Sequence, residues 1–297
     1  MFECASTNFG FGRSARRFQV FHLALLLMVL CQISLAAISD PLRYQNGLRN
    51  SPGERKLNPK QLTTLLESLR QKTGFLEMQF EETGFLNLGN RLKISGGSAA
   101  ARELLVAAVD RMRVIELECH DRSSLVAFAR LAKPVSYISH ATGARIEAFP
   151  IEIDFNDFKH LRGDKAVLAA FDLGFVVLHE LAHAALGLHD SPDETAGPGE
   201  CENYINRIRG ELGLPERRNY VARTFINRNF PTGKPTQQAE LLFTHKGTEE
   251  SRAKTQILNL TWEAENVGVV KEGYAKSLSA TAKAPPPQAK SPAVVAP

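Results

Sequence analysis

Hydrophobic residues recur at helical spacing in two segments of the first half of the chain. Residues 57–72 carry leucines three and four positions apart, and the pair Asn58-Pro59 stands near their beginning. This spacing places the leucines on one face, which predicts an amphipathic helix. A second helical pattern runs from Ser98, a preferred N-cap residue, to Met112. Both segments therefore predict helices with one buried face.

Alternation of apolar and polar residues predicts strands around these helices. Residues 76–80 and 85–88 predict a hairpin, and Val114–Cys119 predicts a longer strand. Residues 151–155 also alternate, but the phase shifts at Pro150, which places this proline at the strand entrance or at a bulge. A later hairpin is predicted over residues 239–244 and 256–262. Strands and helices follow one another without a regular βαβ order, which predicts the α+β fold class.

The longest apolar stretch after the N-terminal region, Lys165–Leu186, predicts one long helix. Asp164 and Gly187 stand where an N-cap and a C-cap are expected. The interior of the stretch is apolar on nearly all sides, which predicts a central, buried helix. After Lys165, its ionisable side chains are those of Asp172, His179, Glu180 and His183. Burying such groups costs on the order of several kcal/mol unless each has a partner, so we expect them to bind something.

His179, Glu180 and His183 form the pattern His-Glu-x-x-His, whose spacing suits a metal centre. Residues four apart lie one turn apart on the same helix face, so two imidazoles can converge on one ion. Zinc (Zn2+) is the expected ion, because catalytic zinc sites use three protein ligands and a water. Glu180 is rotated about 100° from His179 around the helix, and we expect it to act as the general base. The motif and its helical context predict hydrolysis of peptide bonds in a protein or peptide substrate.

The third zinc ligand has two main candidates. His189 completes the spacing of the metzincins, but those enzymes have a glycine three residues before the last histidine, where this chain has Leu186. Glu202 begins a helix predicted over residues 201–212, and thermolysin-like enzymes complete their site with a glutamate on the next helix. Further candidates are Glu200 and Asp190. The residues favour Glu202 and keep His189 as the alternative.

The segment around this motif resembles the effector-type zinc metallopeptidases, which occur as type III secreted effectors and at the ends of YD-repeat toxins. The shared residues are His-Glu-x-x-His, the pair Glu202-Asn203, the run Ile-Arg-x-Glu-Leu-Gly-Leu-Pro at 208–215, and then Arg217 and Tyr220. The resemblance covers about residues 170–220. It implies a zincin-like fold, in which the long helix packs under a small mixed sheet. It also implies Glu202 as the third ligand and Tyr220 as a residue that stabilises the developing oxyanion.

Further expectations concern residues around the motif. In zincin-like folds a sheet edge near the metal binds the substrate backbone, and residues 151–155 are the expected edge by analogy. Asp172 is expected to tie the helix to a neighbouring strand, and Arg217 to pair with a carboxylate near the helix end. Tyr220 has an alternative role in packing against the turn after residue 215. Cys119 and Cys201 are candidates for a disulfide in an oxidising compartment.

The two ends of the chain differ in composition from the part between them. Three arginines precede an apolar run at residues 20–31, and small residues follow it, which predicts a signal peptide over residues 1–37. The alternative is an uncleaved membrane anchor over residues 18–37, since about 20 apolar residues cross a bilayer. Both interpretations predict export of the domain, to the periplasm or the extracellular medium. The remaining expected segments are a linker (38–56), a zincin-like metallopeptidase domain (57–270) and a disordered Pro/Ala-rich tail (271–297).

Composition and charge exclude some partners. The 297 residues include 36 Lys and Arg against 32 Asp and Glu, and this net charge of +4 predicts no nucleic-acid partner. No membrane contact is expected apart from an uncleaved N-terminal anchor, and the sequence predicts no particular oligomeric state. The alternative functions are a catalytically inactive zincin-like protein, which binds zinc for its fold or for a partner, and a metal-free envelope interaction protein.

Overall fold

The computed structural model describes residues 46–111, 113–138, 143–192, 197–227, 235–245 and 255–268. The predicted signal peptide or anchor and the predicted tail at 271–297 lie outside these residues. The described part combines helices with several sheets, so the α+β class is confirmed. The segment expected as a linker, 38–56, contains the first strand of a sheet.

The elements follow the predicted local patterns in most places. The strands are β1 (Gly47–Asn50), β2 (Gln79–Phe80), β3 (Leu86–Asn87), β4 (Val114–Cys119), β5 (Ala129–Leu131), β6 (Val135–Ile138), β7 (Arg145–Ile153), β8 (Arg162–Gly163), β9 (Glu216–Arg217), β10 (Arg223–Asn227), β11 (Thr236–His245) and β12 (Gln256–Glu263). The helices are α1 (Pro59–Thr73), α2 (Ala99–Asp110), α3 (Lys165–Ala170), α4 (Leu173–Leu181) and α5 (Gly199–Glu211), and a π-helical turn follows α4 at Ala182–Leu186. Short 3-10 turns lie at Asp157–His160 and Ala264–Asn266.

The first sheet has the strand order β1-β4-β7-β5, and β6 pairs with β7 beside β5. β1, β4 and β7 are parallel, whereas β5 and β6 run antiparallel to β7. Ile151 pairs with Leu117 on one side and with Leu131 on the other, so β7 is an inner strand. The prediction that residues 151–155 form the substrate-binding edge is therefore wrong. β5 and β6 are the strands at this edge.

Pro150 lies inside β7, not at its entrance. It stands opposite the residues that separate β5 from β6, and its carbonyl accepts a hydrogen bond from the N–H of Ala132 at 2.8 Å. A missing N–H at this gap removes no ladder hydrogen bond, which explains why a proline is tolerated in an inner strand.

The second sheet is antiparallel, with the order β10-β11-β12-β8 and β9 paired with β11. Its central pair, β11 and β12, is the predicted late hairpin, with Leu241 opposite Leu260. The early hairpin is confirmed as β2 and β3. Both predictions were successful because alternating residues place one face of each strand in the core.

Two apolar clusters surround α4. Phe175, Leu178 and Leu181 belong to the first cluster, which joins α1, α2 and α5 to the first sheet. Val176 belongs to the second cluster, which joins α3 to β11 and β12. α4 is therefore central, and polar side chains on it need partners within the protein.

The prediction of one continuous helix over Lys165–Leu186 is wrong, because the chain breaks between α3 and α4. Phe171 leaves the helical conformation (φ −137°, ψ 58°), and the Asp172 carboxylate accepts a hydrogen bond from the N–H of Phe175, which makes Asp172 the N-cap of α4. Asp172 also pairs with Lys72 at 2.6 Å, so it ties α4 to the helix α1 and not to a strand. Asp164 precedes α3, but its side chain makes no capping hydrogen bond. Gly187 is confirmed as the C-cap, with φ +70°.

Lys165–Leu186 is also the stretch that, among the described residues, has the length and composition of a membrane span. In its most apolar window, 72% is buried inside the protein. The core helix of a globular domain has the same properties, so this stretch is weak evidence for a membrane span.

Candidate metal centre

Both histidines of the motif direct a ring nitrogen at the same carboxylate oxygen. Oδ1 of Asp190 lies 3.0 Å from Nε2 of His179 and 3.3 Å from Nε2 of His183. The two imidazole rings are 4.9 Å apart at an angle of 80°. Asp190, a minor candidate from the sequence, is thus the carboxylate on which the two Nε2 atoms converge.

The chain between His183 and Asp190 is shaped by local hydrogen bonds. The π-helical turn ends at Gly187, whose N–H bonds to the carbonyls of Ala182 and His183. Nδ1 of His183 lies 2.6 Å from the carbonyl oxygen of Leu188, which fixes the ring with Nε2 toward Asp190. Asp190 stands three residues after Gly187, which is the spacing between the glycine and the last ligand in the metzincin pattern. The sequence alone hides this agreement, because the π turn places one additional residue between His183 and the glycine.

Glu202 lies on the opposite side of the His179 ring. Its Oε2 is 3.3 Å from Nδ1 of His179 and 3.0 Å from Nη1 of Arg217, and its Oε1 pairs with Arg209. Only 1% of Glu202 is exposed. Burial alone raises the pKa of Glu202, but Arg209 and Arg217 hold it well below its usual range, so the carboxylate is charged. Glu202, the predicted third ligand, contacts His179 but not through Nε2.

Glu180, the predicted base, lies at the edge of the first sheet. Its Oε2 accepts a hydrogen bond from the N–H of Leu131 in β5 at 2.7 Å. Burial raises the pKa of Glu180, and the nearby histidines partly oppose this shift. A cleft of about 440 Å³ lies here, and its lining includes Leu131, Glu180, His183 and Asp190.

Tyr220 lies against the same cluster. Its ring stacks on that of His179, with centroids 5.6 Å apart and an angle of 9°. Burial and a hydrogen bond to Asp190 raise the pKa of Tyr220, so the phenol keeps its proton. Arg217 donates to the carbonyls of Asn219 and Tyr220 as well as to Glu202. The predicted pairing of Arg217 with a carboxylate is present, but this carboxylate lies in the first turn of α5. Tyr220 is therefore held beside His179 by its own turn.

Cys201 is the fourth residue of this cluster. Among the described residues, one ligand atom each of His179, His183, Asp190 and Cys201 lie within 4.8 Å of one another, a group that could hold a metal ion. The Cys201 thiol also donates to the carbonyl of His179 at 3.2 Å. The expected disulfide is absent from the described structure, where both Cys119 and Cys201 are free.

His189, the other main candidate for the third ligand, lies beside this group and does not belong to it. Its backbone N–H donates to Glu200 at 3.2 Å, and its carbonyl accepts from the N–H of Cys201. The backbone of His189 thus joins the loop to the start of α5.

Asp190 raises the pKa of both histidines. Burial alone lowers the pKa of His183, but the hydrogen bond to Asp190 and further contacts raise it to about 10. The pKa of His179 is raised well above its usual range in the same way. The cluster therefore favours a positive charge between the rings and the carboxylate, and a metal cation supplies such a charge in place of protons.

A second group that could hold a metal ion lies on the other face of the first sheet. Nε2 of His120 is 3.1 Å from Glu118 and 3.7 Å from Glu152. Glu118 and Glu152 are adjacent because β4 and β7 pair in that register, which no sequence motif indicates. Arg130 pairs with Glu152 at 2.6 Å and Arg55 lies 3.8 Å from Glu118, so these carboxylates already have cationic partners.

No protein-family model matches the chain, and no curated protein or solved structure matches it. The resemblance to the effector-type zinc metallopeptidases therefore depends on the shared residues alone. What the site does is inferred from its own geometry.

Proposed function

We propose that the protein is an exported zinc-dependent metallopeptidase of the zincin-like type, in which His179, His183 and Asp190 hold the metal. The observation that carries this proposal is the convergence of both Nε2 atoms on Oδ1 of Asp190, at 3.0 and 3.3 Å. Two imidazoles and one carboxylate are a donor set that suits zinc and leaves a coordination position free. Zinc bound there supplies Lewis acidity to a carbonyl group and lowers the pKa of a water molecule.

The position of Asp190 agrees with the metzincin pattern once the π turn is considered. In that pattern a glycine stands three residues before the last ligand, and Gly187 stands three residues before Asp190. The π turn at Ala182–Leu186 accommodates the one additional residue between His183 and this glycine. This agreement supports Asp190 over His189 and Glu202 as the third ligand.

Glu202 and its arginine partners serve as support for His179 in this proposal. A carboxylate at Nδ1 selects the tautomer with the proton on Nδ1 and leaves Nε2 free to bind a metal. Because Arg209 and Arg217 keep Glu202 charged, this hydrogen bond is retained near neutral pH.

Glu180 is the general base and Tyr220 stabilises the oxyanion in this proposal. Glu180 lies between the motif helix and β5, and a buried carboxylate with a raised pKa is a stronger base than an exposed one. The phenol of Tyr220 keeps its proton beside the cluster and can donate it to a developing negative charge. The substrate backbone runs along β5, the edge strand next to Glu180.

Elemental analysis and Glu180→Gln test the proposal together. We expect the purified protein to hold about one equivalent of zinc, and Glu180→Gln to keep the metal while peptide hydrolysis falls by about 10²- to 10⁴-fold. Lys159→Gln, which changes an exposed charge away from the cluster, is the control. Failure to hold zinc after metal-free preparation and reconstitution would contradict the proposal.

A second candidate function is a closed, non-catalytic zinc site with Cys201 as fourth ligand. The proximity of its thiol to the three other ligand atoms favours this candidate, because structural zinc sites have four protein ligands. Cys201→Ser separates the two. If Cys201 is the fourth ligand of a closed site, this variant binds zinc much more weakly than the wild type. If the site is catalytic and has three protein ligands, the variant keeps its zinc and its activity.

Export is inferred from the N-terminal residues alone. Mass spectrometry of protein recovered from the periplasm or the culture medium tests it. If the signal peptide is cleaved, the recovered chain begins directly after Ala36 or Ala37. An intact N-terminus in the membrane fraction would support the anchor over residues 18–37.

A further inference from the structure

A second hollow of about 380 Å³ lies directly beside the candidate metal centre. His179, Glu180 and Tyr220 line it on the side of the cluster. Its other walls are largely apolar and include Phe128, Phe171 and Trp262. A group that enters this hollow is therefore in contact with both the proposed catalytic residues and an aromatic wall.

The aromatic side chains of the wall pack against one another. The ring of Phe128 makes edge-to-face contacts with Phe171 at 5.1 Å and with Trp262 at 5.3 Å. Phe128 has φ +65°, a left-handed conformation that a bulky side chain rarely adopts. The buried carboxylate of Asp157 holds this conformation, because it accepts the N–H of Phe128 at 2.9 Å. This hydrogen bond therefore helps to hold Phe128 in its place in the wall.

The two arginines in the wall already have partners. All three side-chain nitrogens of Arg217 donate within the protein, to Glu202 and to the carbonyls of Asn219 and Tyr220. Arg209 donates to Glu202 and to the carbonyl of Ala170. A carboxylate that enters the hollow would lose its hydration without gaining a free guanidinium, so the hollow favours an apolar group over an acidic one.

The volume fits one large side chain. An apolar cavity of about 150 Å³ binds benzene, and ligand pockets begin at about 300 Å³. A hollow of about 380 Å³ therefore has room for an aromatic ring and its connecting atoms.

We propose that this hollow is the subsite that selects a large apolar, preferably aromatic, side chain next to the cleaved bond of a peptide substrate. This inference rests on the proposed function and adds the substrate class to it. Phe128 and Trp262 determine the specificity, whereas Glu180 and Tyr220 belong to the catalytic side of the same hollow.

Trp262 is the one tryptophan of the chain, so its fluorescence reports on the hollow without any need for catalysis. The full-length protein is titrated with N-acetyl-phenylalaninamide, N-acetyl-leucinamide, N-acetyl-alaninamide and N-acetyl-glutamic acid amide. We expect a saturable change in emission with the phenylalanine derivative and at least about tenfold weaker binding of the alanine derivative. Equal binding of all four compounds, or no change in emission, would overturn the proposal.

Ala222→Phe fills the hollow from a partly buried lining position. We expect it to abolish the fluorescence response and to shift cleavage of a peptide library from large to small residues at one position. Ala107→Phe, at a partly buried alanine of α2 outside the lining, is the matched control and leaves both unchanged. If circular dichroism shows that Ala222→Phe does not fold, Ala222→Leu is used instead, with the same expected direction.

The two proposals fail separately. Peptide hydrolysis without preference for a large residue, combined with unchanged Trp262 emission, overturns the subsite and leaves the metallopeptidase intact. Selective binding of the phenylalanine derivative without zinc-dependent hydrolysis supports the hollow as a binding site for aromatic groups and contradicts the proposed function.

Discussion

Asp190 and Glu202 are both carboxylates beside His179, but they contact different nitrogens of its ring. Asp190 meets Nε2, on the side to which His183 also points, and Glu202 meets Nδ1 from within the core. One carboxylate is therefore suited to bind a metal and the other to orient a ligand. A sequence pattern that counts residues along the chain does not distinguish these positions, because both depend on how the π turn and α5 approach α4.

Asp190→Asn is expected to weaken zinc binding by more than about 100-fold, because one of three ligands is lost. Glu202→Gln, which removes only the support of His179, is expected to weaken it about 10- to 100-fold. Competition with a fluorescent chelator measures both. His189→Ala is the control and keeps the affinity of the wild type. A larger loss in Glu202→Gln than in Asp190→Asn would contradict the assignment of Asp190 as ligand.

Glu202→Gln has a second expected effect, on stability. It leaves the buried guanidinium of Arg209, and that of Arg217, without a negative partner. Removal of one partner from a buried ion pair costs about 3–5 kcal/mol of unfolding free energy. Urea denaturation of the metal-free protein measures this loss. Glu67→Gln, on the exposed face of α1, is the control, and equal stability of the two variants would contradict the prediction.

At the scale of elements, local patterns predicted the segments whose burial follows a regular period. The helices α1 and α2, the strand β4 and both hairpins lie within a few residues of their predicted positions. The break before α4 was missed, because apolar residues continue through it and Asp172 alone marks the new N-terminus. The edge strand β5 was also missed, since a strand of three residues is defined by its pairing with β7 and not by its own sequence.

Asp172→Asn tests the junction between α1 and α4. Asparagine is as good an N-cap as aspartate, so the cap persists, but Lys72 loses its counter-ion. Burial lowers the pKa of Lys72 and Asp172 opposes this shift, so the variant lowers it further. The folded chain then binds fewer protons than the unfolded chain, and unfolding free energy rises with pH between the folded and unfolded pKa values of Lys72.

We therefore expect Asp172→Asn to be more destabilising near neutral pH than near pH 10, as measured by urea denaturation across this range. The double variant Lys72→Met with Asp172→Asn removes the titrating group and serves as control. A destabilisation that is independent of pH in the single variant would contradict this account of the junction.

At the scale of the whole molecule, the proposed metal centre combines parts of the chain that contribute mainly to the first apolar cluster. The histidines lie on α4 and in the π-helical turn, and Asp190 pairs with Gly199 at the start of α5. The sequence predicted the motif and its chemistry because His-Glu-x-x-His is local. The positions of β5, Tyr220 and the aromatic hollow depend on contacts between distant segments, which no local pattern encodes.

Zinc that binds only the folded chain stabilises it by about 2.7 kcal/mol at a free concentration 100 times the dissociation constant. For a domain of this size that corresponds to an increase in melting temperature of roughly 5–10 °C. Because the ligands come from α4, the π-helical turn and the loop that leads to α5, metal removal is expected to loosen the contact between these elements. Differential scanning calorimetry with and without a chelator measures the shift, and His183→Ala, which lacks a ligand, is expected to melt at the same temperature in both conditions. An equal chelator effect in that variant would show that the metal stabilises the protein from another site, of which the group at Glu118, His120 and Glu152 is the first to test.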